Sequence, residues 1–211
     1  MDKKLVDAAR TGNVSALHAL LVEDPLTLER ATMDSGENPL HIASLAGQTD
    51  FVSEIIVRKP VFASELNEHG FNPMHVASAM GHVEIVRELL RINNDICLLK
   101  GRDGRTPLHC ATIKGRVIVI KELMSTNQES IRELTVQGET ALHLAVKNNQ
   151  SEAFEVLMEG LKQFNKEIIN WKDENGNTIL HLAASRKQRE ASQIVNPSSP
   201  SLFHIFSFSY I

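Results

Sequence analysis

Apolar residues along this chain come in pairs of short blocks separated by a small polar loop. The stretch from Gly101 to Met124, GRDGRTPLHCATIKGRVIVIKELM, is representative. Its Asp103-Gly104 pair suits a turn that needs positive φ, and Pro107 suits the first turn of a helix, where a missing N–H is no loss. Thr106 is placed to cap that helix through its hydroxyl. Leu108 and Ala111 give the short helix an apolar face and Gly115 ends it in a left-handed residue. VIVIKELM then continues as a second helix with an apolar face of its own. The pattern predicts one unit built as turn, short helix, tight loop and longer helix.

The same frame recurs as NPLHIA, NPMHVA, TALHLA and TILHLA, so that His41, His75, His109, His143 and His181 follow one another at intervals of 34, 34, 34 and 38 residues. A glycine stands five residues ahead of each: Gly36, Gly70, Gly104, Gly138 and Gly176. A period of about 33 residues around a Thr-Pro-Leu-His-x-Ala core resembles the ankyrin repeat, and implies an all-α solenoid of helix-loop-helix units with β-turn tips. The expected organisation is a capping unit at 1–33, units at 34–67, 68–101, 102–135 and 136–173, an incomplete unit at 174–190 and a divergent tail at 191–211. Val6 stands where the first histidine would be, with Lys3 and Lys4 before it, as suits a polar terminal cap. Gly12, Gly47, Gly81 and Gly115 close the short helices, whereas Asn149 and Lys187 fill that place in the last two units. The interval of 38 reflects four extra residues after Met158, about one helical turn. Leu161 and Phe164 would then extend the apolar face of the second helix, either as a protruding helix end or as a partner-specific ridge.

Composition narrows the function. A net charge of −4 gives no footprint for nucleic acid. Cys97 and Cys110, the only two cysteines, sit among apolar neighbours and read as buried reduced thiols of a cytoplasmic protein. No signal peptide and no run of 18 apolar residues is visible. The histidines are one repeat apart, roughly the 10 Å spacing of packed helices, so they form a ladder and not a metal cluster. They are expected to be buried, neutral and structural, as are the five leading glycines. No phosphate loop, nucleophile elbow or metal-ligand spacing accompanies them, so no cofactor, metal or catalytic residue is expected.

Aligning the units on their glycines exposes the positions free to vary. The tips carry Asp34, Ser35 and Glu37, then Glu68, His69 and Phe71, then Arg102, Asp103 and Arg105, then Val136, Gln137 and Glu139, then Glu174, Asn175 and Asn177. The ends of the short helices carry Leu45, Met80, Ile113, Lys114 and Lys147, with Ser185 and Arg186 in the last unit. Leu45, Met80 and Ile113 make an apolar strip flanked by Phe71, by Arg102 and Arg105 and by an acidic end, with Lys114 and Lys147 counted among the binding residues, the composition of a protein interface. These residues either bind a protein partner or are partly buried between units.

GETALHLAVKNNQSEAFEVLMEGLK followed by NWKDENGNTILHLAASRKQRE resembles more particularly the plant ankyrin proteins with a C-terminal Pro-Gly-Gly-motif membrane domain, including the Bian Da type of immune regulator. That resemblance implies a protein-binding platform at the cytosolic face of the plasma membrane, acting in defence or stress signalling, and supplies no catalytic residues. The chain departs from the family pattern after Glu190. ASQIVNPSSPSLFHIFSFSYI lacks charge, contains Pro197, and is too short in its apolar part to span a membrane. It reads as the end of a truncated or spliced product, as a segment folding over the fifth unit, or as a weak membrane contact. The expectation is a monomeric, non-enzymatic scaffold, or a soluble short form competing with an anchored relative for partners.

Overall fold

The computed structural model describes residues 2–31, 36–161 and 166–185. Within them the chain alternates short inner and longer outer helices: α1 (Lys3–Thr11), α2 (Val14–Glu23), α3 (Thr27–Arg30), α4 (Pro39–Ala46), α5 (Thr49–Arg58), α6 (Pro73–Met80), α7 (Val83–Ile92), α8 (Pro107–Ile113), α9 (Val117–Thr126), α10 (Ala141–Lys147), α11 (Ser151–Leu161) and α12 (Ile179–Ser185). No strand occurs among the described residues. The architecture is the all-α repeat solenoid that the sequence pattern predicts. Asp34, Ser35, Phe164, Arg186, Lys187 and the tail at 191–211 lie outside the described residues.

Two parallel rows of helices build the stack. In the inner row α1, α4, α6, α8, α10 and α12 pack successively, and in the outer row α2, α5, α7, α9 and α11 do so. Leu40, Met74, Leu108 and Leu142, each directly before its histidine, are fully buried, as are Ala43, Ala77, Ala111 and Ala145 two residues after it. The alanines let inner helices approach closely, and the larger residues fill the space toward the outer row. There Ile55, Leu89, Leu123 and Leu157 are likewise wholly enclosed. Complete burial of such a side chain contributes about 2 kcal/mol, so each junction adds core of the same kind. In the fourth unit Leu161 continues the buried face of α11.

The inner helices α4, α6, α8 and α10 are each followed by a left-handed residue, at Gly47 (φ 78°), Gly81 (φ 90°), Gly115 (φ 64°) and Asn149 (φ 58°). The side chain that follows reaches backward to the preceding unit. Gln48 Nε2 donates to the Arg10 carbonyl (3.0 Å), His82 Nε2 to that of Leu45 (3.3 Å), Arg116 Nε to that of Ala79 (3.0 Å) and Gln150 Nε2 to that of Ile113 (3.2 Å). These carbonyls belong to the last turn of a helix and have no intrahelical partner. A Cβ at Gly81 would stand 3.0 Å from Arg116 Cδ, and one at Gly47 2.8 Å from the His82 ring. Glycine is therefore demanded twice here, by the backbone angle and by the neighbour's cap.

Candidate interaction groove

The β-turn tips are closed by backbone bonds and joined edge to edge. Asn67, Gly101, Thr135 and Asp173 N–H groups donate to the carbonyls of Phe71, Arg105, Glu139 and Asn177 across each tip at 2.8–3.0 Å. Arg102 N–H donates to the Gly70 carbonyl, Val136 N–H to that of Asp103 and Glu174 N–H to that of Gln137, at 2.7 to 2.9 Å. The third tip is the tightest, with Asp103 (φ 60°) and Gly104 (φ 70°) both left-handed.

Three of the five histidines fasten one tip to the next. In all five the backbone N–H three residues earlier donates to Nδ1: Asn38 to His41 (3.3 Å), Asn72 to His75 (3.4 Å), Thr106 to His109 (3.0 Å), Thr140 to His143 (3.3 Å) and Thr178 to His181 (3.3 Å). In the first, second and fourth of these the earlier side chain also accepts the histidine's own N–H, at 3.0–3.3 Å. The result is a capping box with imidazole in the place usually taken by a carboxylate or amide. With Nδ1 accepting, the proton sits on Nε2, which donates to the carbonyl at the next tip: His41 to Phe71 (2.9 Å), His75 to Arg105 (2.8 Å) and His143 to Asn177 (3.1 Å). His109 is the exception, its buried Nε2 meeting only the Glu133 carbonyl and that outside good hydrogen-bonding geometry. Burial pushes the imidazoles of His41 and His75 down to about 4 and that of His109 to about 3. It also holds His143 below the usual range, so these rings are neutral at physiological pH. His181, in the last described helix, is exposed.

Leu45 and Met80 lie open on the inner row, 52% and 42% exposed, while Ile113 is half-buried. Ile42 and Val76, each directly after a histidine and both half-buried, extend this apolar strip. Their signal was available in the sequence, since they stand three residues before Leu45 and Ala79 on the same helix face. Phe71 is half-buried, its ring tilted against His75 with centroids 5.6 Å apart. Gly101 makes the room, because a Cβ there would come within 3.0 Å of the Phe71 ring. Arg102 and Lys114 are exposed, and Arg105 is half-buried with its guanidinium 3.7 Å from Asp103.

Lys147 differs from the exposed groove cation expected from the sequence. Its ammonium is held by Glu139 (2.6 Å) and Asp173 (3.1 Å), two carboxylates almost fully enclosed. Glu139, placed by alignment on the exposed tip, folds inward to this lysine and to the Thr135 hydroxyl (3.3 Å). Burial works against charge in both Lys147 and Asp173, yet hydrogen bonds outweigh it: those to Glu139 and Asp173 hold the lysine above its ordinary value, and those from the Asn177 backbone and from Lys147 hold the aspartate below its own. The apolar strip thus ends in an internal ionic lock between α10 and the base of the last described tip.

Cys97 and Cys110 are buried free thiols that burial pushes up to about 11 and about 12. Among the described residues no three His, Cys, Asp or Glu side chains are placed to hold a metal ion. No described helix is long and apolar enough to cross a membrane.

Comparison with known proteins agrees with this geometry. Ankyrin repeat-containing protein BDA1 of Arabidopsis thaliana is 38% identical over 71 residues, which cover 33% of this chain and 17% of that protein. The family description Ankyrin repeats matches in three copies, over residues 5–100, 91–168 and 139–197. Repeat period, helical stack, tip bonding and profile converge, and the chain belongs to the ankyrin-repeat family.

Proposed function

We propose that this chain is a non-catalytic scaffold that binds a protein partner across its tips and inner helices, in the cytoplasm, in plant defence or stress signalling. The observation that carries the reading is the open apolar strip of Leu45 and Met80, continued by half-buried Ile42, Val76 and Ile113 from one inner helix to the next. Exposed apolar residues that are contiguous from unit to unit have the makings of an interface centre, with Phe71, Arg102, Arg105 and Lys114 at its edge. The plant-signalling part of the reading is supported by the likeness to BDA1 over one third of the chain.

The test is proximity labelling in plant cells with the intact chain and with a Leu45→Asp, Met80→Asp variant. Both side chains are exposed enough for the double substitution to leave the circular dichroism spectrum and urea midpoint unchanged. Loss of a reproducible set of labelled proteins is the expected outcome. An unchanged set in the folded variant would show that partners use another face.

A further inference from the structure

Between Asp103 and Glu122 the chain has no acidic residue, yet it carries Arg105, Lys114, Arg116 and Lys121 in a protein whose net charge is −4. Most other described cations have a carboxylate at hand: Lys59 pairs with Glu29, Arg58 with Glu54, Arg87 with Glu84 and Glu122, and Arg91 with Glu88. Arg102 and Lys114 are exposed and have no ion pair among the described residues. Arg116 gives its Nε to the Ala79 carbonyl and likewise meets no carboxylate.

Topology places these charges at both ends of one inner helix. Arg102 and Arg105 stand on the tip before α8, and Lys114 and Arg116 stand just past its end. Seven residues of helix separate them, about 10 Å. Lys114 occupies in its unit the position of Met80 in the unit before, one packed-helix spacing away, roughly 10 Å. The apolar strip of Leu45 and Met80, with Glu37 and Glu68 on the tips beside it, is therefore followed by cationic positions over 102–116.

We infer that the occupant of this groove is an extended acidic-apolar peptide segment, with apolar side chains on Leu45 and Met80 and carboxylates on Arg102 and Lys114. This rests on the groove being the interaction face. An extended segment rises about 3.3 Å per residue, so a 10 Å step places the apolar anchor and the carboxylate about three residues apart. The apolar half supplies affinity and the unpaired cations supply register, association rate and salt dependence. A nucleic acid strand fits less well, because Glu37 and the exposed Glu68 occupy the neighbouring tips where its phosphates would continue.

The experiment is to pan a random dodecapeptide display library on the full chain, then to measure the strongest peptides by fluorescence anisotropy. The expected peptides carry Asp or Glu about three residues from Leu, Ile, Met or Phe. Their affinity should fall at least about 10-fold in Arg102→Glu, Lys114→Glu and remain within about 2-fold in the charge-matched control Lys3→Glu, Lys121→Glu. If charge reversal disturbs folding, Arg102→Gln with Lys114→Gln gives the same ordering with a smaller loss. Peptides that need Leu45 and Met80 but show no acidic excess would overturn the carboxylate assignment and leave the groove reading standing. Peptides indifferent to Leu45→Asp, Met80→Asp would overturn both. A labelled 20-nucleotide single-stranded DNA bound as tightly as the peptides, and lost on charge reversal, would replace the peptide by nucleic acid.

Discussion

Two ladders of side chains run along opposite ends of the inner helices, and they solve the same problem in different ways. At the tip end the rung is an imidazole in every full unit, buried, neutral and bonded on both nitrogens in three of four cases. At the loop end the rung is Gln48, His82, Arg116 or Gln150, more exposed and bonded through a single contact to the carbonyl of the unit before. Burial explains the difference. An enclosed site must satisfy its own donors and acceptors and therefore fixes the residue type, whereas water can replace a lost partner at an exposed helix end. The uniform ladder points forward from tip to next tip, and the varied ladder points backward. Together they tie each unit to the next at both ends.

Acidification should strain the histidine ladder most. The folded-state values of His41, His75 and His109 lie below the unfolded value of 6.5. Between pH 6.5 and about 4 the unfolded chain therefore binds protons that the folded chain refuses, and stability falls as pH falls. Each ring contributes about 1.3 kcal/mol of loss at pH 5.5, so the three together lose about 4 kcal/mol relative to pH 7.5. A urea midpoint equal at the two pH values would contradict neutral burial.

Removing one rung should cost less. His75→Ala deletes a capping partner and the bond to the Arg105 carbonyl in a site only 1% exposed, an expected loss of about 2 to 3 kcal/mol. His109→Ala, whose Nε2 has only a poorly aligned contact with the Glu133 carbonyl to lose, should cost about 1 kcal/mol less. Equal losses in chemical denaturation would mean that packing, not hydrogen bonding, sets the value of these rings.

The loop ladder should give the smallest effects, and an asymmetric pair of them. Gly81→Ala introduces a side chain at φ 90° and against Arg116, about 1 to 2 kcal/mol by thermal unfolding. Arg116→Ala surrenders one exposed bond that water can replace, about 0.5 kcal/mol. A larger loss for Arg116 than for Gly81 would mean that the backward cap is essential to the junction.

Much of the fold was legible because repetition makes a pattern visible five times. The Leu-His-x-Ala frame located the inner helices, the glycines located the turns, and the apolar face of VIVIKELM located an outer helix that begins at Val117. The groove was legible in part. Leu45 and Met80 stand open as alignment suggested, Ile42 and Val76 were missed, and Glu139 and Lys147 face inward, because charge alone does not tell whether a partner waits inside or out. Nor did alignment reveal that Gly101 makes room for Phe71, since a glycine's neighbour across a junction is 30 residues away in sequence.

By itself the sequence determined the repeat, the order of helices and the residue types that burial tolerates, since these follow from local periodicity and from each unit matching its neighbours. Only the tertiary structure decided which polar side chains are spent within the stack. His82 and Arg116 become caps, Lys147 becomes a lock, and Arg102 and Lys114 remain unpaired. That allocation depends on distances between residues 26 to 37 positions apart, and such distances exist only once neighbouring units have packed.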